Sequence, residues 1–170
     1  DCAVCATGKQ GFNGNLTRSE IVGQVWLAAS DLQRRGDHRG ITNVVFMGMG
    51  EPLYNFDATM TVVELLKDDL AYGMAKRRVT VSTAGVVPKI YELSDHTDCA
   101  LAVSLHAPDD GLRDELVPIN RKYPLEELLG ACRHYLSKCG EKRSITFEYA
   151  LMKDVNDSLA HAKALAKLLR

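Results

Sequence analysis

At 170 residues and 46% hydrophobic content, the chain is long enough for one domain with a buried core and too apolar for a disordered tail. Twenty-one Lys and Arg against 22 Asp and Glu leave a formal charge of -1, so composition announces no polyanion partner, although a basic surface can be local. No apolar run approaches the roughly 20 residues of a bilayer-crossing helix, no signal-peptide pattern is present, and five Cys with one close pair do not make a secreted disulfide framework, so a cytoplasmic protein without a membrane partner is expected.

Asp1 opens directly on Cys2-Ala3-Val4-Cys5 without an initiator Met, and Leu159 to Arg170 is a helical pattern that stops without Gly or Pro. The chain therefore reads as an internal segment of a longer protein. Gly8, Gly11, Asn13 and Gly14 keep the residues after the Cys pair in a loop. Thr17 and Glu20 have capping-box spacing, and Ile21, Val22, Val25, Trp26, Ala29 and Leu32 fall on one helical face before Gly36. Ile41 to Met47 is almost continuously apolar, as in a parallel strand covered on both faces, and Gly48 and Gly50 end it. A helix from about Phe56 to Ala71 stops at Gly73, Arg78 to Thr83 forms a strand, and a Gly85 turn leads to a short helix reaching about Leu93. Cys99 to Leu105 is the next strand, followed by a charged connection through Pro108 and Pro118. Leu125, Leu128, Leu129, Cys132, Leu136 and Cys139 mark another helix. Ile145 to Leu151 is the fourth strand, and the last helix begins with Asn156 or Asp157 as N-cap. Alternating strands and helices predict a single α/β domain with a parallel sheet, either open or curled into a full or partial barrel, whose ligands bind at the carboxyl ends of the strands.

Polar residues at strand ends are the ones that packing does not explain. They are Gly48-Met49-Gly50-Glu51-Pro52, Ser82-Thr83 and Ser104-Leu105-His106, all expected on one rim. The glycines let the backbone approach a ligand, and the Glu51 carboxylate suits an ammonium group, although a solvated loop acid explains it equally well. Ser82 and Ser104 also read as ordinary strand-end hydroxyls, and a lone His such as His106 is more often a structural hydrogen bonder than an acid or base. Cys2 and Cys5 have a spacing that serves a redox dithiol, a zinc knuckle or an iron-sulfur cluster. Cys99 lies in an apolar strand and Cys132 and Cys139 on an apolar helix face, so these three are assigned to the core.

Taken as a set, Cys2-Ala3-Val4-Cys5-Ala6-Thr7-Gly8, Gly11-Phe12, Gly48 to Leu53, Lys76 to Thr83, Ser104 to Pro108, Val117-Pro118-Ile119-Asn120 and Val155-Asn156-Asp157 resemble the radical S-adenosylmethionine RNA adenine C2-methyltransferases of dual specificity. The resemblance covers essentially the whole chain. It implies a parallel (βα) partial barrel of the radical SAM type, truncated at both ends, with residues 1–170 as one core-domain fragment lacking the first strand, the N-terminal region and the C-terminal part. It also implies a 4Fe-4S cluster on a C-x-x-x-C-x-x-C loop, in which Cys2 and Cys5 match the second and third ligands and the first precedes Asp1. Gly50 and Glu51 match the motif that holds the methionine amino group of S-adenosylmethionine, and Ser82, Ser104, Leu105 and His106 match further cofactor contacts. The residue before the last cluster Cys is usually aromatic in the family; here it is Val4, a departure.

The implied reaction proceeds by radical chemistry because C2 of adenine is electron-poor and a poor target for a polar methyl donor. One S-adenosylmethionine methylates a cysteine near the C-terminus, and a second yields the radical that removes hydrogen from that methyl group before addition to the base. A further cysteine helps release the product. Neither of these cysteines lies in the segment, so the segment alone is expected not to turn over. The implied substrates are 23S ribosomal RNA and tRNA, with an electron donor such as flavodoxin. Lys76, Arg77 and Arg78 are candidates for phosphate contact at the rim, with Arg121 and Lys122 as weaker ones. The competing readings are the C8-specific 23S rRNA adenine methyltransferase relative, disfavoured by Pro52, and a non-catalytic iron-sulfur or zinc module that binds RNA.

Overall fold

A computed structural model describes residues 2–3, 5–140 and 143–170. Four parallel strands, β1 (Val44–Phe46), β2 (Val79–Thr83), β3 (Ala100–Ser104) and β4 (Thr146–Glu148), lie side by side in chain order. They are connected by α2 (Phe56–Lys67), α3 (Val87–His96), α4 (Asp110–Leu116) and α5 (Leu125–Cys139), with α1 (Arg18–Arg34) before β1 and α6 (Leu159–Leu168) after β4. Every crossover steps to the next strand in the same direction. That progression belongs to a barrel wall rather than to a doubly wound sheet, whose order reverses at a switch point. Among the described residues β1 and β4 do not pair, so the sheet is open.

Register sorts the sheet into two unlike faces, because side chains alternate along each strand. Val44, Phe46, Val79, Val81, Leu101, Val103 and Phe147 share the face that packs in the hydrophobic core with Val63 and Leu66 of α2, Ile90 and Leu93 of α3, and Leu128 and Cys132 of α5. Val45, Thr80, Ser82, Ala102, Ser104, Thr146 and Glu148 share the other face, which is mostly small or polar and lies outside that core. The expectation that the first strand is covered on both faces is therefore corrected: Val45 is 54% exposed.

The local chemistry explains the element boundaries. At the start of α1, Glu20 N–H donates to Thr17 Oγ1 at 3.3 Å and Thr17 N–H donates to Glu20 Oε2 at 2.7 Å, so the predicted capping box is present. Trp26, expected on the buried face of α1, is 62% exposed because it stands at the edge of a stripe centred on Ile21 and Val25. α2 ends at Lys67 rather than near Ala71, since Asp68 turns to an extended conformation and its carboxylate accepts from Leu70 N–H at 2.8 Å. The N-cap of α6 is Ser158, which accepts from His161 N–H at 3.2 Å; Asn156 is buried and Asp157 accepts instead from Asp154 N–H. α4, read from sequence as a charged connection, is a helix capped by Asp109, whose side chain accepts from Leu112 N–H at 3.0 Å.

Cys99 and Cys132 are buried and Cys139 packs half-buried against the core, so the assignment of these three to packing holds. Burial pushes the Cys132 thiol up to about 12, which leaves it protonated and inert at neutral pH. Replacing Cys132→Ala is expected to lower stability by about 1 kcal/mol, the loss of one buried heavy atom and its contacts. Urea unfolding of the two proteins measures this, and iron content after reconstitution should be the same in both.

Candidate active site at the strand C-terminal rim

Where a parallel ladder ends, the last peptide groups lose their partners, and in this chain buried or half-buried polar side chains take them up at each junction of neighbouring strands. Glu51 serves β1 and β2. It follows Gly50, whose φ of 79° is a left-handed conformation that glycine adopts without strain. Glu51 Oε2 accepts from Ala84 N–H at 2.7 Å and from Thr83 Oγ1 at 3.1 Å, while Oε1 accepts from Leu53 N–H at 3.0 Å. Burial raises the Glu51 pKa above the ordinary carboxylate value, and these three donors oppose the shift. Thr83 in turn accepts from Gly85 N–H at 3.0 Å, which sets the turn into α3.

Arg113 of α4 serves β2 and β3. No sequence signal pointed to it, because a lone Arg in a charged stretch reads as surface. Its side chain is fully buried; NH2 donates to Ala84 O at 2.7 Å and Ser104 O at 3.0 Å, Nε to Leu105 O at 3.1 Å, and NH1 to Asn120 Oδ1 at 2.8 Å. Asn120 Nδ2 donates to Asp114 Oδ1 at 2.7 Å and Asp110 Oδ1 at 2.9 Å. Desolvation lowers the guanidinium to about 10, still charged at neutral pH.

His106 and Asn156 join β3 to β4. Leu105 N–H donates to Glu148 O at 2.9 Å, and Ala150 N–H donates to His106 Nδ1 at 3.1 Å, which leaves the ring proton of the neutral imidazole on Nε2. Asn156 Nδ2 donates to His106 O and to Ala150 O, both at 2.8 Å, and its Oδ1 accepts from Met152 N–H at 2.7 Å. These bonds hold His106 at a φ of 60°, unusual for a residue with a side chain. Leu105 contributes backbone groups to the rim, since its side chain is in the core. Ser82 and Ser104 lie at the ends of their strands on the small, polar face, where Ser104 Oγ stands 3.5 Å from Glu148 Oε2. Glu148 is a rim carboxylate that sequence reasoning passed over; its alternation with Thr146 was the available signal.

The cysteine loop is seated on the helix that sequence reasoning missed. Cys2 packs with Ala107, Leu116 and Val117, as do Ala84 and Met152, and Ala3 N–H donates to Leu116 O at 2.9 Å. Cys5 N–H donates to Cys2 O at 3.1 Å, and Gly8 N–H donates to Cys5 Sγ at 3.3 Å. Burial raises the Cys2 thiol pKa, with Arg113 acting in the opposite direction. Two free, partly accessible thiols, one already receiving an N–H bond, suit part of the thiolate set of an iron-sulfur cluster. Among the described residues no group of three or more His, Cys, Asp or Glu gathers to complete a metal site. Val4 lies outside the described residues.

The basic candidates change places. Lys76 to Arg78 form a turn before β2, at the opposite end of the sheet from the rim, where Lys76 pairs with Asp98 and Arg78 NH1 donates to Thr42 O at 3.2 Å. The expectation that they face RNA at the rim is corrected. Arg121 and Lys122 are exposed and follow α4 on the rim side, next to Asn120.

The chain is similar to known proteins along essentially its whole length. Dual-specificity RNA methyltransferase RlmN of Pseudomonas fluorescens (strain SBW25) is 55% identical over 172 residues, covering 100% of this chain and 45% of the relative. The protein of the same name from Marinomonas sp. (strain MWYL1) is 58% identical over 173 residues, covering 100% and 46%. The chain thus spans a little under half the length of these curated relatives. A crystal structure of a radical SAM methyltransferase from Sphaerobacter thermophilus matches with a TM-score of 0.92 and 50% identity, over 99% of this chain and 49% of that one. The profile of the radical SAM superfamily matches residues 1–166, and the chain belongs to that superfamily.

Proposed function

We propose that this chain is the core of an enzyme that methylates C2 of an adenosine in 23S ribosomal RNA and in tRNA through a methylcysteine intermediate. The observation that carries the reading is identity of 55% and 58% along the entire chain to relatives named as dual-specificity RNA methyltransferases. Superfamily membership implies a 4Fe-4S cluster and S-adenosylmethionine. Cys2 and Cys5 would hold the cluster together with a thiolate outside the described residues. Gly50, Glu51, Ser82 and the Ser104-Leu105-His106 segment would hold S-adenosylmethionine. When bound, the cluster supplies the reducing electron and S-adenosylmethionine supplies the methyl group and the hydrogen-abstracting fragment.

The side chains of this chain bind and orient. A carboxylate offers about four lone-pair sites. Three at Glu51 are taken by Leu53, Ala84 and Thr83, which leaves capacity for one ligand ammonium at a fixed position. Pro52, the first residue of the turn Pro52–Asn55, matches the pattern of the C2-methylating family rather than that of its C8-specific relative and supports the C2 reading. Residues 1–170 act as one radical SAM core domain; the methyl-carrying cysteine belongs to the part of the relatives that this chain does not span. No described helix is long and apolar enough to cross a membrane. We place the enzyme in the cytoplasm with a flavodoxin-type electron donor and RNA approaching past Arg121 and Lys122.

The direct test is mass-spectrometric location of the methyl group on RNA from cells expressing the full-length protein. Methylation at C2 that disappears with Cys5→Ala, along with the cluster, is the expected result; a colourless zinc protein that leaves RNA unmodified overturns the reading. Glu51→Ala should retain iron yet weaken S-adenosylmethionine binding at least tenfold and lower stability by about 1–3 kcal/mol as the freed N–H groups lose their acceptor. Equilibrium dialysis and urea unfolding separate the two effects.

Burial, opposed by the Glu148 charge, holds His106 below its ordinary value of 6.5. The unfolded chain takes up that proton first as pH falls, so this residue makes stability decline below about 6.5 until the folded-state value is passed. Melting temperature followed from neutral to mildly acidic pH should fall less steeply in His106→Asn, whose Oδ1 can stand where Nδ1 accepts from Ala150 N–H.

A further inference from the structure

The cofactor contacts proposed above leave Arg113 without a part, yet it is the largest of the fully buried side chains. Among the described residues it makes no ion pair; three of its partners are carbonyls and the fourth is Asn120. A buried cation without a carboxylate in contact is a costly way to hold a core, since apolar residues of similar volume serve stability as well or better. Its counter-charges, Asp110 and Asp114, are one side chain away behind Asn120. Leu116, on the same helix, takes Ala3 N–H at 2.9 Å, and Cys2 packs on Leu116, Val117 and Ala107. Arg113 NH2 holds Ala84 O at 2.7 Å, and Ala84 packs in the same small cluster as Cys2.

We propose that Arg113 is a positioning residue for the iron-sulfur cluster: it locks α4, and with it the seat of the Cys2 loop, to the ends of β2 and β3, and its buried charge favours one-electron reduction of the cluster. This rests on the reading of Cys2 as a cluster ligand. A thiolate-bound cluster becomes more negative by one charge when it accepts an electron from the flavodoxin-type donor. A fixed cation in a low-dielectric setting stabilises that reduced form more than the oxidised one.

The test uses the full-length protein reconstituted anaerobically with iron and sulfide. The readouts are iron content, redox titration followed by the spectrum of the reduced cluster, and thermal stability. Arg113→Gln should bind iron but show a tenfold smaller reduced-to-oxidised ratio at fixed potential, equivalent to about 59 mV for one electron. Arg113→Lys, which keeps the charge and loses the fork, should lose thermal stability with a shift well below tenfold. Asp114→Asn, which keeps an acceptor for Asn120 and is the variant to rely on if Arg113→Gln does not fold, should shift the ratio in the opposite direction. Unchanged potentials in Arg113→Gln and Asp114→Asn, or equal shifts in the Gln and Lys variants, overturn the proposal. Full iron content in Cys2→Ala would instead sink the ligand reading and the proposal with it.

Discussion

Peptide groups that emerge from the carboxyl ends of parallel strands have no further ladder to join, and each one left buried and unpaired costs about 1–3 kcal/mol. In this chain the groups are taken up by Glu51 between β1 and β2, by Arg113 between β2 and β3, and by Asn156 with His106 between β3 and β4. These rim bonds are therefore in place before any ligand arrives. That is the condition for holding a ligand in one geometry rather than wrapping loosely around it.

Satisfying the rim also narrows what its residues offer. Glu51 retains acceptor capacity on one oxygen, His106 presents only its Nε2 proton, and Leu105 contributes no side chain. The strand register adds a chemical division: the face with Ser82, Ser104 and Glu148 is small and polar, whereas the face with Val81, Leu101 and Val103 is committed to helix packing. Charge is divided along the strand direction as well. Lys76, paired with Asp98, sits at the amino end, while Arg121 and Lys122 stay exposed at the carboxyl end.

Some of this was legible in the residues alone. Alternation of β-branched runs with amphipathic stretches specifies parallel strands and crossover helices, because side-chain period is a local property. The box at Thr17 and Glu20 was readable for the same reason: both partners lie within one helical turn. The motif set around Cys2, Gly50, Ser82 and Ser104 to His106 pointed to the superfamily that the comparisons then identified.

What tertiary structure alone decided concerns residues whose partners are distant in sequence. Asn156 was read as a helix cap, but its side chain reaches His106 O, 50 residues away, and the adjacent Ser158 caps instead. Arg113 looked like an ordinary surface charge until the fold enclosed it with Ala84, 29 residues away, and Glu51, a ligand candidate from its motif, gains its bond to Ala84 N–H from 33 residues away. Lys76 to Arg78 looked like rim residues until strand direction placed them at the opposite end. Periodicity and capping depend on near neighbours and are written in the sequence; burial of a charge and the end of the sheet on which it falls depend on packing between elements, and only the folded chain determines them.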